Sequence, residues 1–295
     1  MNAETHGPAA ALITGASSGI GRATAIELAR HGWHVVLICR DPVRGQAVVD
    51  AISALATAPA ATLLVADLSC LKATRELGQR LQCSALPVRL LINNAATWSK
   101  QRLVTHEGHE RTLAVNYLAP FVLTQWLLPT LRDHGPARVV NVVSNVVRQF
   151  ARLELDDLQT ARRYGQIRAY RQSKLALLLF TRELARRERE PQLTVNCLHP
   201  GDVLTHMTAR GPLIDLIRPL LPRVEVEHAA RACARVALAP ELAGISGAYF
   251  EGDKLVELNR RTIAADTSQA LWSETWRLVR DYLPATVRNA SQAAP

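Results

Sequence analysis

Short β-branched or apolar runs alternate with longer stretches of helical periodicity from one end of this sequence to the other, and that alternation restricts the fold more than any other feature. Repeated strand-helix-strand units pair their strands in parallel through right-handed crossovers and cover both faces of the sheet with helices. Strands are expected near 9–14, 34–39, 61–66, 88–92, 137–143, 193–197 and 247–250. Helices are expected near 19–31, 43–55, 70–82, 107–132, 165–188 and 226–238, the clearest being 165–188, whose LALLLFTREL carries an apolar stripe with charges opposite. The fold class is therefore α/β: a doubly wound parallel seven-stranded sheet in one domain spanning 1–295, with loose tails at about 1–7 and 285–295. The segment 202–223, DVLTHMTARGPLIDLIRPLLPR, breaks the alternation just past a strand's C-terminal end, the edge at which open α/β sheets bind ligands. It reads as a substrate lid lined by Leu213, Ile214, Leu216 and Ile217, the competing reading being a helix pair packed permanently on the core.

Where the first strand meets the first helix, the chain reads ALITGASSGIG. Gly15, Gly19 and Gly21 let the backbone come close to a pyrophosphate, and with Ser17, Ser18 and Ile20 they form a turn that aims amide donors at it. The second strand ends in Cys39-Arg40, where a free ribose 2′-hydroxyl usually meets a carboxylate. An arginine pairs instead with a 2′-phosphate, which favours NADP over NAD, with Arg44 as a helper. The competing reading has Arg40 capping the loop and Asp41 taking a ribose hydroxyl. The third strand runs into Asp67-Leu68, where the acid either accepts from the adenine amino group or, with Ser69, caps the next helix. The fourth stops at Asn93-Asn94-Ala95, small and polar residues suited to lie beside a ribose while bonding neighbouring strands.

Tyr170 and Lys174 stand four apart in AYRQSK, on one helix face and about one turn from each other. A free phenol, with a pKa of about 10, is a poor acid-base catalyst near neutrality, and an adjacent ammonium favours the phenolate. A carbonyl under reduction also needs a donor on its developing oxyanion, and Ser144 ends the fifth strand at the same sheet edge as the glycine turn. Asn116 is a polar residue among apolar helix positions in TLAVNYLAPFVLTQ.

A formal charge of +9 would suit nucleic acid, but the arginines are scattered and form no long basic tract, so nucleic acid is not an expected partner; nor is a membrane, since no stretch approaches the roughly 18 apolar residues of a span. Five dispersed cysteines without a Cys-x-x-Cys pair indicate neither a disulfide framework nor a zinc knuckle, and a reducing compartment is expected. The first residues lack a basic segment, so they are read as leading into a strand and not as a signal peptide. His106, His109 and Glu110 in THEGHE lack the H-E-x-x-H spacing and are read as a helix start, with no metal expected.

TGASSGIG, NNA, Asn116, Ser144, the Tyr170 and Lys174 pair and the His199-Pro200-Gly201 turn occur in the order and approximate spacing of the short-chain dehydrogenase/reductases, a resemblance covering nearly the whole chain. ELDDLQTARRYGQIRAYRQSKLALLLFTRELARR, with LICRDPVRG and HPGDVLTHM, resembles the retinol dehydrogenase and protochlorophyllide reductase branch, whose members generally favour NADP. The resemblance implies Tyr170 as general acid/base, with Lys174 lowering its pKa while bonding the nicotinamide ribose. It implies that Ser144 orients the carbonyl, that Asn116 holds a water linking Lys174 to solvent, and that Pro200, Gly201, Val203 and Thr205 embrace the nicotinamide amide and pyrophosphate. Helices 107–132 and 165–188 often pair between subunits in that family, which implies a homodimer or homotetramer. Tyr164 has no lysine four residues on, and Ala96, Val143 and Asn145 depart from the family's usual residues. The expectation is an NADP(H)-dependent oxidoreductase moving a hydride between nicotinamide and a carbonyl or secondary alcohol, working as a cytoplasmic reductase of a hydrophobic ketone or aldehyde. The alternative is a non-catalytic NADP(H)-sensing protein of the same fold, against which the intact Asn, Ser, Tyr and Lys set argues.

Overall fold

A sheet with strand order 3-2-1-4-5-6-7-8 runs through the protein, built from β1 (Ala10–Thr14), β2 (His34–Cys39), β3 (Thr62–Val65), β4 (Val88–Asn93), β5 (Ala137–Val142), β6 (Leu193–His199), β7 (Tyr249–Glu251) and β8 (Lys254–Leu255). The computed structural model describes residues 8–149, 152–188, 190–201, 225–259 and 264–292. The expected lid at 202–223, with Val203 and Thr205, lies outside them, as does the tail at 1–7. Strands β1 to β7 pair in parallel, and only β8 is antiparallel to its neighbour. The seven-stranded expectation is thereby corrected to eight. The added strand is two exposed residues turned back on β7 at Gly252 (φ +58°), too short to leave a periodic signal.

The inner strands are apolar on both sides, as burial under helices on two faces requires. One core layer joins the sheet to α1 (Gly19–Arg30), α2 (Pro42–Ser53) and α8 (Val226–Leu238) through residues such as Leu28, Val48, Ile52 and Val236. The other joins it to α3 (Leu71–Gln82), α5 (Ala119–Asp133) and α7 (Gln166–Arg187), through Leu77, Phe121, Leu127 and Phe180. Helix 107–132 starts later than expected. Val104 bridges Glu110, and only then do α4 (Arg111–Leu113) and a π-helical turn (Ala114–Leu118) lead into α5.

Three helices escaped the sequence reading: α6 (Val146–Gln149), α9 (Ala265–Val279) and α10 (Ala285–Gln292), the last in what was expected to be a loose tail. Helix α9 lies across α5 and α7. The Trp272 ring stacks on Phe180 (6.0 Å), meets Phe121 edge-on (5.1 Å) and lies 4.4 Å from the Arg187 guanidinium carbon. Tyr117 and Thr275 share a buried hydroxyl bond of 2.6 Å, and Trp126 donates to the Tyr282 carbonyl at 2.8 Å. The face expected to pair between subunits is thus covered by the chain's own C-terminal segment. Among the described residues, no helix is long and apolar enough to cross a membrane.

Candidate active site

The strand order reverses between β1 and β4, and a crevice opens there at the strands' C-terminal ends. Thr14 closes β1, and its hydroxyl accepts from the Asn94 and Ala95 amides at 3.0 Å each. The Asn94 side-chain amide donates in turn to the carbonyls of Thr14 (2.8 Å) and Gly15 (3.4 Å), so the end of β4 clamps the glycine turn. Gly15 (φ +67°) and Gly19 (φ +53°) occupy the left-handed region. Ser18, the residue before α1, is extended and makes no side-chain cap, which leaves the first amides of the helix without a side-chain acceptor.

A cleft of about 760 Å³ follows, inside the roughly 300–1,000 Å³ typical of ligand sites. It is lined by Gly15, Ser17, Ser18, Gly19, Ile20, Gly21, Arg40, Asp67, Leu68, Asn94, Ala95, Ser144, Tyr170, Lys174, Pro200 and Gly201, all singled out in the sequence. Asn116 stands behind the wall, and Val203 and Thr205 lie outside the described residues. The uncapped helix end, the close glycine turn and the cleft's size fit a dinucleotide with its pyrophosphate on α1.

At the β2 end, Asp41 caps α2 by accepting from the Arg44 amide at 3.0 Å. Arg40 and Arg44 line the cleft, and neither guanidinium pairs with a carboxylate among the described residues. Asp67 Oδ1 accepts from the amide (2.9 Å) and hydroxyl (2.8 Å) of Ser69 in the turn before α3, while the cap of α3 is Cys70, whose Sγ accepts from the Ala73 amide at 3.4 Å, so the reading of Asp67 or Ser69 as the helix cap is corrected.

At the other end, Ser144 follows β5 and donates weakly to Asn145 Oδ1 at 3.4 Å. Asn93 and Asn141, paired in register, bond across β4 and β5 at 2.8 Å, and Asn141 donates to Thr181 of α7 at 2.9 Å. Thr181 is two turns beyond Lys174, so this anchor turns the Tyr170 and Lys174 face of α7 toward the strand ends. Lys174 is 1 % exposed, donates to the Val142 carbonyl at 2.7 Å, and lies 5.9 Å from the Tyr170 ring centroid. Burial pulls its pKa down to about 7. The Tyr170 ring rests against Trp98 at 5.7 Å, and both rings line the cleft. Asn116, in the π-helical turn, accepts from the Thr97 amide (2.7 Å) and donates to the Thr97 carbonyl (2.9 Å) and Ser173 hydroxyl (3.0 Å). The Ser173 hydroxyl donates onward to the Tyr170 carbonyl at 2.7 Å.

The sequence pattern of the short chain dehydrogenase family matches residues 9–212. The chain belongs to the short-chain dehydrogenase family. Retinol dehydrogenase 12 of Mus musculus is 36 % identical over 270 residues, covering 91 % of this chain and 85 % of the relative. Polyprenol dehydrogenase of Mus musculus is 36 % identical over 278 residues, covering 91 % and 83 %. A short chain dehydrogenase from Burkholderia cenocepacia, solved in complex with NADP, superposes with a TM-score of 0.65 at 29 % identity, covering 83 % of this chain and 96 % of that one.

Like other short-chain dehydrogenases this chain has a Tyr-x-x-x-Lys helix, yet Tyr164 could be mistaken for its tyrosine. The Tyr164 hydroxyl donates to the Ser99 carbonyl at 2.7 Å, and desolvation raises its pKa, with the Glu110 charge adding to the shift. In THEGHE, both Glu110 carboxylate oxygens accept from the Thr112 and Leu113 amides at 2.8 Å, the helix start that was expected. His109 Nδ1 lies 3.1 Å from Gln159 Nε2. Sequence reasoning missed Arg111 and Val115 on the cleft wall. Val115 directly precedes Asn116, and that adjacency was the available signal.

Proposed function

We propose that the protein is an NADP(H)-dependent oxidoreductase that moves a hydride between nicotinamide and a carbonyl or secondary alcohol, working as a reductase of hydrophobic ketones or aldehydes. The observation that carries this is Tyr170 on the cleft wall with the buried Lys174 ammonium 5.9 Å from its ring. Bound in the cleft, the cofactor supplies the hydride. Tyr170 gives or takes the proton at the substrate oxygen, and Lys174, fixed by the Val142 carbonyl, favours its phenolate and bonds the ribose. The Ser144 hydroxyl donates to the same oxygen and offsets the charge that grows there. Asn116 acts one step back. Both of its side-chain N–H bonds are used by Thr97 and Ser173, so the side chain positions the 97 segment and the Tyr170 backbone.

The cleft walls Trp98, Val115, Val143 and Val146 support an apolar substrate, as do relatives named for retinol and polyprenol. The test is direct: mix purified protein with NADPH and a panel of apolar ketones and aldehydes and follow the loss of NADPH absorbance. Turnover is expected. Silence across the panel, with tight NADPH binding, would favour a sensor.

NADP over NAD is supported by the two unpaired arginines, by Asp41 being engaged as a cap, and by the NADP-bound relative. Charge-assisted hydrogen bonds contribute about 1.5–3 kcal/mol each, so Arg40→Asp is expected to weaken NADPH binding by about 10- to 100-fold and leave NADH nearly unchanged. Fluorescence titration with both nucleotides reads this, and an unaltered preference would remove the 2′-phosphate assignment. Five free cysteines, three of them buried, support a reducing compartment such as the cytoplasm. A homodimer or homotetramer is proposed as well, with α9 packed through Trp272 on Phe121 of α5 and Phe180 of α7.

A further inference from the structure

We propose that Arg111 holds the adenine ring of the cofactor, a contact supplied by α4 in addition to Asp67 and Leu68. The inference rests on the dinucleotide reading above and concerns a side chain that the proposed chemistry does not use. Arg111 lines the cleft together with Leu68 and Val115. Its Nε is buried with no hydrogen-bond partner, and among the described residues its guanidinium forms no ion pair. A half-sheltered arginine with an unsatisfied donor is costly unless an acceptor meets that donor.

The neighbouring acids do not satisfy it. Glu110, next in sequence, spends both carboxylate oxygens on the Thr112 and Leu113 amides. Glu107 turns toward the start of α3, where Oε1 accepts from the Lys72 amide at 3.3 Å. Tyr164, on the other side, donates its hydroxyl to the Ser99 carbonyl. Backbone bonds fix where the arginine starts: its amide donates to the Leu103 carbonyl at 2.9 Å, and Val104 bridges Glu110.

Position selects the adenine among the parts of the ligand. The Glu107 to Lys72 bond draws this loop onto the β3 to α3 connection, which carries Asp67, Leu68 and Ser69. Arg40 and Arg44, which take the 2′-phosphate, follow β2, separated from β4 by β1 in the strand order. Ser144 and Tyr170 stand beyond β5. Adenine offers a π face and ring-nitrogen acceptors, and a guanidinium is flat, carries a rigid fork of donors, and stacks on such a ring; a lysine would offer only a point charge. Leu68 and Val115 supply the apolar remainder.

Calorimetric titration of Arg111→Met and Arg111→Lys with NADPH, with 2′,5′-ADP and with NMNH tests this. Arg111→Met is expected to weaken NADPH and 2′,5′-ADP by the same factor, about 3- to 30-fold, from the usual range of cation–π contacts, while NMNH, which lacks adenine, binds as before. Arg111→Lys keeps charge and stem, and serves as the reporter should the methionine variant fail to fold; a loss of about threefold is expected from the planar contact alone. Unchanged 2′,5′-ADP affinity in both variants overturns the proposal. So does a raised KM for the carbonyl with NADPH affinity intact, since that assigns Arg111 to the substrate. Failure of the wild-type protein to bind either NADPH or 2′,5′-ADP overturns the underlying cofactor reading, a result distinct from a loss confined to the variants.

Discussion

Replacing Tyr170 by phenylalanine is expected to lower kcat by about 10²- to 10⁴-fold, the range that general acid-base groups contribute, while NADPH affinity stays within about twofold. The substitution removes one oxygen and keeps the ring, so the contact with Trp98 at 5.7 Å and the packing beside Lys174 survive. What disappears is the only phenol among the described residues that lines the cleft; Tyr164 is held by Ser99, and Tyr117 is buried against Thr275 with its pKa driven far up by desolvation. Lys174 cannot take over. Its buried Nζ is committed to the Val142 carbonyl at 2.7 Å. Steady-state rates with the best carbonyl of the panel, set beside an NADPH titration, separate the two effects. Retained turnover would remove Tyr170 as proton donor, and lost NADPH affinity would mark the phenol as a binding group.

Strands β1 to β6 were legible because their apolar runs are bounded by turn residues, and a strand buried on both faces has to be apolar throughout. Helix α9 was not, and the cause is tertiary. ADTSQALWSETWRLV reads as mixed polarity, and its inward stripe of Leu271, Thr275 and Val279, flanked by Trp272, acquires meaning only against Phe121, Phe180 and Tyr117, which lie far away in sequence. The start of the long central helix was set four residues early because its capping acid was legible as a helix start, whereas the Val104 to Glu110 bridge before it depends on a loop closing on itself. Within the site, spacing rules placed residues on the cleft wall where two groups share an element, as Tyr170 and Lys174 do, or follow a strand's end, as Ser144 and Asn94 do. They could not supply partners separated by a fold: Asn116 meets Thr97 and Ser173 across 19 and 57 positions. Arg111 was invisible for the same reason, since its relation to Leu68 exists only through the loop that Glu107 pins to α3.

Gly21→Ala is expected to cut NADPH affinity by about 10- to 100-fold, the effect of loosening one or two charge-assisted bonds, and to cost about 1–3 kcal/mol of stability from overpacking. A Cβ at position 21 would lie 2.4 Å from the Gly15 carbonyl oxygen and 2.4 Å from Asn94 Nδ2. Neither atom can retreat. Gly15 is tied through its amide to the Ile38 carbonyl at 2.8 Å, and the Asn94 amide is committed to Thr14. Helix α1 must therefore move away as a unit, and its first amides, uncapped by any side chain, leave the position proposed for the pyrophosphate. Gly32→Ala provides the control. Gly32 has φ +80° and no neighbour within 4 Å of a new Cβ, so alanine there costs about 1–2 kcal/mol of backbone strain without moving α1's N-terminus. Thermal melts and NADPH titrations of the two variants together discriminate: both lose stability, and only Gly21→Ala loses the nucleotide. If Gly21→Ala binds NADPH as tightly as Gly32→Ala does, the α1 amides do not hold the cofactor, and the glycine turn serves only the join between β1 and α1.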